Sequence, residues 1–137
     1  MNILFLCKHN RFRSKIAEAY FNKINKNKKI KAKSRGLIRG IPVDKNVVRI
    51  GKEFGMKINR TPKGISEEDL KWQDVIIIVA NNVPKSIFAT KREVKKLIIW
   101  NIRDTSQDNK KEIRRIVIGI MKKVNNLNKQ LENKKWK

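Results

Sequence analysis

The sequence has almost none of the residues from which crosslinks and metal sites are built. Cys7 is the only cysteine and His9 the only histidine among 137 residues. One cysteine excludes an internal disulfide, and this pair cannot supply the four ligands of a structural zinc site. We therefore expect neither a disulfide framework nor a structural metal.

Long apolar runs are also missing. No stretch approaches the roughly 20 apolar residues of a membrane span, and the run from Ile3 to Leu6 is too short for a signal-peptide core. The apolar content of 39% and the mean hydropathy of −0.60 fit a globular protein rich in lysine and asparagine. We expect a cytoplasmic protein with no membrane contact, forming one domain over residues 1–137 with a polar tail at about 133–137.

Acidic residues are scarce. Only 12 Asp and Glu oppose 35 Lys and Arg, which gives a formal net charge of +23. Such a surplus attracts polyanions, and nucleic acid is the obvious candidate. The lysines are spread over the whole chain, however, and no aromatic residues alternate with them to form a stacking platform. We interpret them as a solvated surface, with weak nonspecific polyanion binding as a side effect.

Short apolar runs alternate with helical patterns along the chain. Strands are predicted at Asn2–Leu6, about Ile30–Lys33, Val75–Val79 and Leu97–Trp100, with Ser34-Arg35-Gly36 as a turn after the second. Helices are predicted at about Arg13–Asn25, from Pro42 with Asp44 as a possible cap to Gly55, from Ser66 to Trp72, after Pro84, and from about Asp108 to Glu132. Strands separated by helices indicate a parallel sheet between helical layers. The predicted fold class is α/β, a single three-layer domain with a four-stranded parallel sheet.

The segment from Cys7 to Ser14 joins the first strand to the first helix. Backbone N–H groups of such a loop converge on one anion, and the helix N-terminus adds the positive end of a dipole. The same field stabilises a thiolate, which is the nucleophilic form of cysteine. Arg13 offers a planar, two-pronged donor to a phosphate, and the Ser14 hydroxyl is close enough to donate to the Cys7 sulfur. The segment is predicted to be a phosphate-binding loop that carries a nucleophile.

The pattern Cys-x5-Arg-Ser near the start of the chain, with Asn10 three residues after Cys7, resembles the signature of a known family. It is that of the low-molecular-weight protein tyrosine phosphatases and of the arsenate reductases built on the same fold. Ser34 and Gly36 also match a small Ser-x-Gly turn of this family. The resemblance implies that Cys7 is the nucleophile and Arg13 a catalytic phosphate ligand, and that no metal or cofactor is needed. The remaining loop residues would bind the phosphate: Lys8, His9, Asn10, Arg11, Phe12 and Ser14.

A phosphate ester attacked by Cys7 needs a proton on its leaving oxygen, and a carboxyl group is the expected donor. Ligands of a parallel sheet bind beyond the C-terminal ends of the strands, which favours Asp104 and Asp108 after the fourth strand. In the resembled family the general acid is an Asp-Pro at the spacing of Asp104, whereas Asp108 is placed to cap the last helix. Asp74 lies at the wrong edge of the sheet, and Asp44 and Asp69 are expected at a helix cap or in a first helical turn. Glu18 lies within the first helix, where it would pair with a neighbouring lysine.

The resemblance implies hydrolysis of phosphate monoesters, above all protein phosphotyrosine, through a phosphocysteine intermediate. The partner would be a phosphorylated protein or a small aryl phosphate. By the same resemblance, the region from Gly36 to Pro42 forms one wall of the pocket, where Leu37, Ile38 and Ile41 would contact an aromatic ring or belong to the core.

Three residues depart from the family pattern. His9 stands where glycine is usual, at a position expected to need a positive φ. Thr105 replaces the proline after Asp104, which predicts a less rigid loop. Arg103 beside Asp104 should favour the ionised carboxylate, so we expect a phosphatase that is weaker at neutral pH than in mild acid.

Two other functions remain open from the sequence. An arsenate reductase of this fold would need an external thiol, because Phe12 stands where a second loop cysteine would be and the chain has no other cysteine. A noncatalytic basic protein that binds phosphorylated or nucleic-acid ligands is the other alternative. The intact set of Cys7, Arg13, Ser14 and Asp104 argues against it.

Overall fold

A computed structural model describes residues 1–133 and confirms the predicted fold class. Four parallel strands lie in the order β2-β1-β3-β4: β1 Asn2–Cys7, β2 Lys31–Gly36, β3 Val75–Val79 and β4 Leu97–Trp100. The helices are α1 Arg13–Ile24, α2 Lys45–Glu53, α3 Glu67–Trp72, α4 Ser86–Ala89 and α5 Lys110–Glu132. None of these helices is long and apolar enough to cross a membrane. The predicted polar tail lies outside the described residues from position 134 onward.

The two central strands separate two apolar layers. Every residue of β3 is buried, as are Ile3 to Cys7 in β1, because helices cover both faces of the sheet. Alternate side chains therefore enter opposite layers. Phe5 and Ile77 pack in the larger layer with α1 and α5, and Leu6 and Ile78 pack in the smaller one with Phe88. Both layers hold β1 firmly, so the position of Cys7 at its end is well defined.

The second strand is longer than the sequence indicates. The turn predicted at Ser34-Arg35-Gly36 is wrong, because β2 continues in parallel register with β1 as far as the pair Cys7 and Gly36. Gly36 also bridges Gly64 on its other side. Pairing on both sides keeps Gly36 extended, although its local sequence is typical of a turn.

The starts of two helices also differ from the prediction. Asn109, rather than Asp108, caps α5 by accepting a hydrogen bond from the N–H of Glu112. Asp108 instead accepts a hydrogen bond from the Ser106 hydroxyl. Asp44 caps α2 as predicted, so the helix begins at Lys45 and Pro42 lies before it.

Candidate active site

The loop between β1 and α1 carries backbone N–H groups that have no hydrogen-bond acceptor among residues 1–133. Cys7 is the last residue of β1, and α1 begins at Arg13. Within residues 1–133, the N–H groups of His9 to Phe12 donate no hydrogen bond. Phe12 precedes α1 without a side-chain cap, so no side chain satisfies the first N–H groups of the helix. N–H groups in this arrangement at a helix N-terminus are able to bind an anion beside Cys7.

Three buried polar side chains hold the loop from behind. The Cys7 Sγ lies 3.0 Å from the Ser14 Oγ. The Asn10 amide donates to the Ser14 Oγ at 2.8 Å and to the Ser34 Oγ at 3.0 Å, and its oxygen accepts from the N–H of Lys63 at 3.0 Å. Because the Ser14 oxygen accepts from Asn10, the Ser14 proton is available to the Cys7 sulfur. Such a bond stabilises a thiolate.

The strained residue of the loop is Asn10 and not His9. Asn10 has a φ of +56°, the only positive φ outside glycine within residues 1–133. Asparagine tolerates this left-handed region better than most residues, and its three side-chain hydrogen bonds fix it there. The expectation of a positive φ at His9 is therefore wrong. His9 instead accepts a hydrogen bond from the N–H of Gly40 through its carbonyl and lies at the rim of the site.

Protein groups hold Arg13 in place at the edge of the cavity. Its side chain is 2% exposed, and it donates to the carbonyl of Ile102 and to the Asn82 side chain, both at 2.9 Å. One guanidinium nitrogen lies 3.6 Å from the Asp104 carboxylate. Sequence reasoning missed Asn82. Its position just after β3, at the same sheet edge as Cys7, was the signal that could have found it.

Asp104 faces the loop from the segment after β4. Its side chain is 45% exposed, and it accepts a hydrogen bond of 2.9 Å from the N–H of Thr105. A proline at position 105 could not donate this bond, so the departure at Thr105 provides a donor to the carboxylate. Arg103 was expected to favour the ionised carboxylate of Asp104, but the two side chains do not form an ion pair. Its guanidinium reaches the first turn of α5 and binds Glu112, and this hydrogen bond lowers the pKa of Glu112.

Some of the predicted site residues line the cavity, and the others hold the loop in place without lining it. A small cavity of about 30 Å³ is lined by Cys7, His9, Arg11, Phe12, Arg13, Asp104 and Gln107. Gln107 was not foreseen. Asn10 and Ser14 are buried behind the loop, and Lys8 contributes its carbonyl, which accepts from the N–H of Ile38.

The segment from Gly36 to Pro42 lies directly against the loop. The N–H groups of Leu37, Ile38 and Gly40 donate to the carbonyls of Cys7, Lys8 and His9, respectively. The Arg11 guanidinium reaches the same segment and donates to the carbonyls of Ile41 and Pro42. Gly40 has no room for a Cβ, which would lie 2.8 Å from the Arg11 side chain. Arg11 therefore fixes the segment against the cavity.

Two charged residues of α1, Glu18 and Lys15, lie outside the cavity. Glu18 accepts a hydrogen bond of 2.6 Å from Ser34, so it extends the network around Asn10 instead of only pairing with a lysine. Lys15 is buried and donates to the carbonyl of Thr61 at 2.8 Å. Burial lowers the pKa of Lys15. Neither residue lines the cavity.

Replacing Asn10 by alanine is expected to destabilise the protein by about 3 kcal/mol. The substitution removes two buried hydrogen bonds and one partly buried hydrogen bond, and it places alanine at a positive φ. Urea denaturation measures the loss, with Asn101→Ala at an exposed site as the control. Equal stability of the two variants would contradict the role assigned to Asn10.

The comparison with known families agrees with these features of the loop and the fold. The chain belongs to the low molecular weight phosphotyrosine protein phosphatases, because the model of that family matches residues 2–137. Family membership supports a cysteine-dependent phosphatase, with Cys7 at the end of the first strand, and confirms the resemblance inferred from the loop.

Solved structures with the same fold have several activities. An arsenate reductase from Archaeoglobus fulgidus DSM 4304 is 29% identical, with a TM-score of 0.78 over 92% of this chain and 98% of its own. A low molecular weight protein tyrosine phosphatase from T. tengcongensis is 25% identical, with a TM-score of 0.83 over 95% and 99%. An arginine phosphatase from Geobacillus stearothermophilus is 16% identical, with a TM-score of 0.83 over 97% and 94%. No curated protein matches the sequence.

Proposed function

We propose that this protein hydrolyses phosphotyrosine in proteins, with Cys7 as the nucleophile. The observation that carries the proposal is the convergence of Cys7, Arg13 and Asp104 on one cavity beside free backbone N–H groups. A nucleophile, a cation and a carboxyl group around one anion site are the parts that phosphate transfer through cysteine requires.

The reaction proceeds in two steps. The Cys7 thiolate attacks phosphorus while Arg13 and the loop N–H groups hold the equatorial oxygens, and the bond from phosphorus to the leaving oxygen breaks. Asp104 gives its proton to that oxygen, so a neutral phenol departs. In the second step Asp104 takes a proton from water, and the water oxygen displaces the Cys7 sulfur from phosphorus. Inorganic phosphate leaves, and the thiolate is restored.

The rim of the cavity favours an aryl phosphate over phosphoarginine. Ile38 and Ile41 are 56% and 69% exposed on the wall segment, which offers apolar surface to an aromatic ring. Arg11 is one of the residues lining the cavity, and its positive charge would disfavour the cationic leaving group of phosphoarginine. These two features favour phosphotyrosine over the substrate named for the Geobacillus relative.

Asp104→Asn is expected to slow hydrolysis of phenyl phosphate in mild acid by about 10² to 10³-fold, because amide nitrogen cannot supply the proton. The loss should be smaller for p-nitrophenyl phosphate, whose leaving group needs less protonation. The wild-type rate should fall from mild acid towards alkaline pH, and the variant should lose this dependence. Asp108→Asn, in the same exposed segment, is the matched control and should behave as wild type. Equal losses in both variants would contradict the role of Asp104.

A substrate comparison tests the preference for phosphotyrosine. Peptides of one sequence carrying phosphotyrosine or phosphoarginine are compared by kcat/KM, and the phosphotyrosine peptide should be hydrolysed faster. Arg11→Met keeps the side-chain length but removes both the charge and the hydrogen bonds to Ile41 and Pro42, so both features of the rim weaken and the difference between the two peptides should become smaller. A faster phosphoarginine reaction in the wild type would overturn the proposed substrate.

Arsenate reduction is the second candidate, and the 29% identity to the Archaeoglobus enzyme favours it. Cys7 would attack arsenate, and an external thiol would have to release the product as a disulfide, since the chain has no second cysteine. Arsenite formation with glutathione or thioredoxin tests this function. Release of arsenite without aryl phosphate hydrolysis would replace the phosphatase proposal.

A further inference from the structure

A basic groove follows the outer side of β2 and shares no lining residue with the catalytic cavity. It consists of two cavities of about 730 and 660 Å³, which share Lys33 and Trp72 among their lining residues. Both lie against β2, which is an edge strand. We call the surface formed by these two cavities the β2 groove. None of the proposed catalytic residues lines it.

The charge of the β2 groove is strongly positive. Lys26, Lys28 and Lys31 line the first cavity, and Arg39 and Lys63 line the second. The carboxylates in the lining are Glu68 and Asp69, of which Asp69 already binds Arg35. Within residues 1–133, no carboxylate lies within ion-pair distance of the five cations named above. An anionic partner therefore meets five cations that no carboxylate among residues 1–133 neutralises.

The spacing of these cations suits an extended chain. Lys31 and Lys33 are two residues apart on one strand, so their side chains leave the same face about 6.6 Å apart. An added strand with acidic residues at alternate positions would place a carboxylate opposite each lysine. Cross-strand pairs of opposite charge stabilise such pairing.

The backbone of β2 also has a free donor and acceptor in this groove. The N–H of Lys31 points to β1, where it donates to the carbonyl of Met1, whereas the N–H of Gly36 points outward to Lys63. By the alternation of a strand, the N–H and carbonyl of Ala32 also point outward. Within residues 1–133, no group pairs with the outward side of Ala32. The edge is therefore open to a further strand at Ala32.

The groove fits a polypeptide better than a nucleic acid. Nonspecific binding of single strands uses successive aromatic platforms, and among residues 1–133 Trp72 is the one aromatic residue in this lining. The Lys33 ammonium already lies over its ring, 4.3 Å from the ring centroid. An acidic peptide needs no stacking face and uses both the lysines and the open backbone edge.

We propose that the β2 groove binds an acidic polypeptide segment, which adds to the sheet as a strand beside β2. Lysines along the edge discourage pairing with neutral or basic strands, so they select for acidic ones. The proposal does not depend on the phosphatase activity, because the groove shares no residue with the catalytic cavity.

The test is fluorescence anisotropy of a labelled peptide in which glutamate alternates with threonine. We expect binding that weakens as salt is added. Lys31→Glu with Lys33→Glu should weaken it by at least about tenfold, since each change replaces an opposite-charge pair by a like-charge pair. Lys122→Glu with Lys123→Glu on α5 changes the net charge equally and is the matched control. Lys123 lies beside β4, at the opposite edge of the sheet.

A second measurement tests the added strand itself. The same peptide with N-methyl groups on its amides keeps its charge and cannot donate backbone hydrogen bonds, so it should bind at least about tenfold more weakly. Equal binding of the methylated peptide would overturn strand addition. Equal weakening by the two lysine variants would overturn the groove as the site. Tighter binding of a single-stranded RNA of equal length, lost only in the β2 variant, would overturn the choice of a polypeptide.

Discussion

Replacing Cys7 by serine is expected to reduce turnover of p-nitrophenyl phosphate by at least about four orders of magnitude. The chain has no other thiol, so no residue can take over the attack on phosphorus. The variant keeps the loop N–H groups, Arg13 and Asp104, which accelerate the reaction only when a nucleophile is present. Initial rates in mildly acidic buffer with a reductant measure the change.

The Cys7→Ser variant also separates chemistry from binding. Serine is close to cysteine in size, and the Asn10 hydrogen bonds behind the loop do not involve the sulfur. Inorganic phosphate should therefore still bind, as a thermal shift or titration calorimetry would reveal. Equal and negligible rates in wild type and variant would contradict a phosphatase acting on aryl phosphates. Equal, substantial rates would assign the reaction to another group.

The loop that carries Cys7 and Arg13 could be predicted because it depends on consecutive residues of the sequence. The run from Ile3 to Leu6 specifies a buried strand, and the helical pattern after Arg13 specifies where the next element begins. A loop between two such elements has its ends fixed, so spacing and the family resemblance were enough to propose roles for Cys7 and Arg13. The choice of Asp104 as the proposed general acid needed two steps: the sheet-edge rule left Asp104 and Asp108, and the spacing of the Asp-Pro in the resembled family favoured Asp104.

The contacts between distant segments could not be predicted. Asn82 reaches Arg13 across 69 positions of sequence, and Arg11 reaches Ile41 across 30. Local pattern also failed where tertiary pairing opposed it, as at Gly36, which β1 and Gly64 together hold in an extended strand. The pairing of Arg103 with Glu112 depends on where α5 begins. A helix boundary is among the least certain features of a sequence.

Arg13→Lys is expected to lower kcat/KM for p-nitrophenyl phosphate by about 10³-fold while the protein stays folded. The buried guanidinium donates in two directions, to Ile102 and to Asn82, and must also present donors to the phosphate. A lysine keeps the charge but has one nitrogen, so it cannot hold both partners and contact two phosphate oxygens. The loss should appear in kcat as well as in KM, because the equatorial oxygens gain most from the planar donor in the transition state.

Arg114→Lys gives the matched control, since Arg114 makes a two-pronged pair with Glu53 on the surface. Surface pairs of this kind contribute little to stability, and this one is remote from the catalytic cavity, so its rates should stay near those of the wild type. If Arg13→Lys kept its kcat and lost only affinity, Arg13 would act as a charge that binds ground state and transition state alike. A full loss of kcat in Arg13→Lys, with Arg114→Lys unaffected, would place the planar guanidinium in the transition state itself.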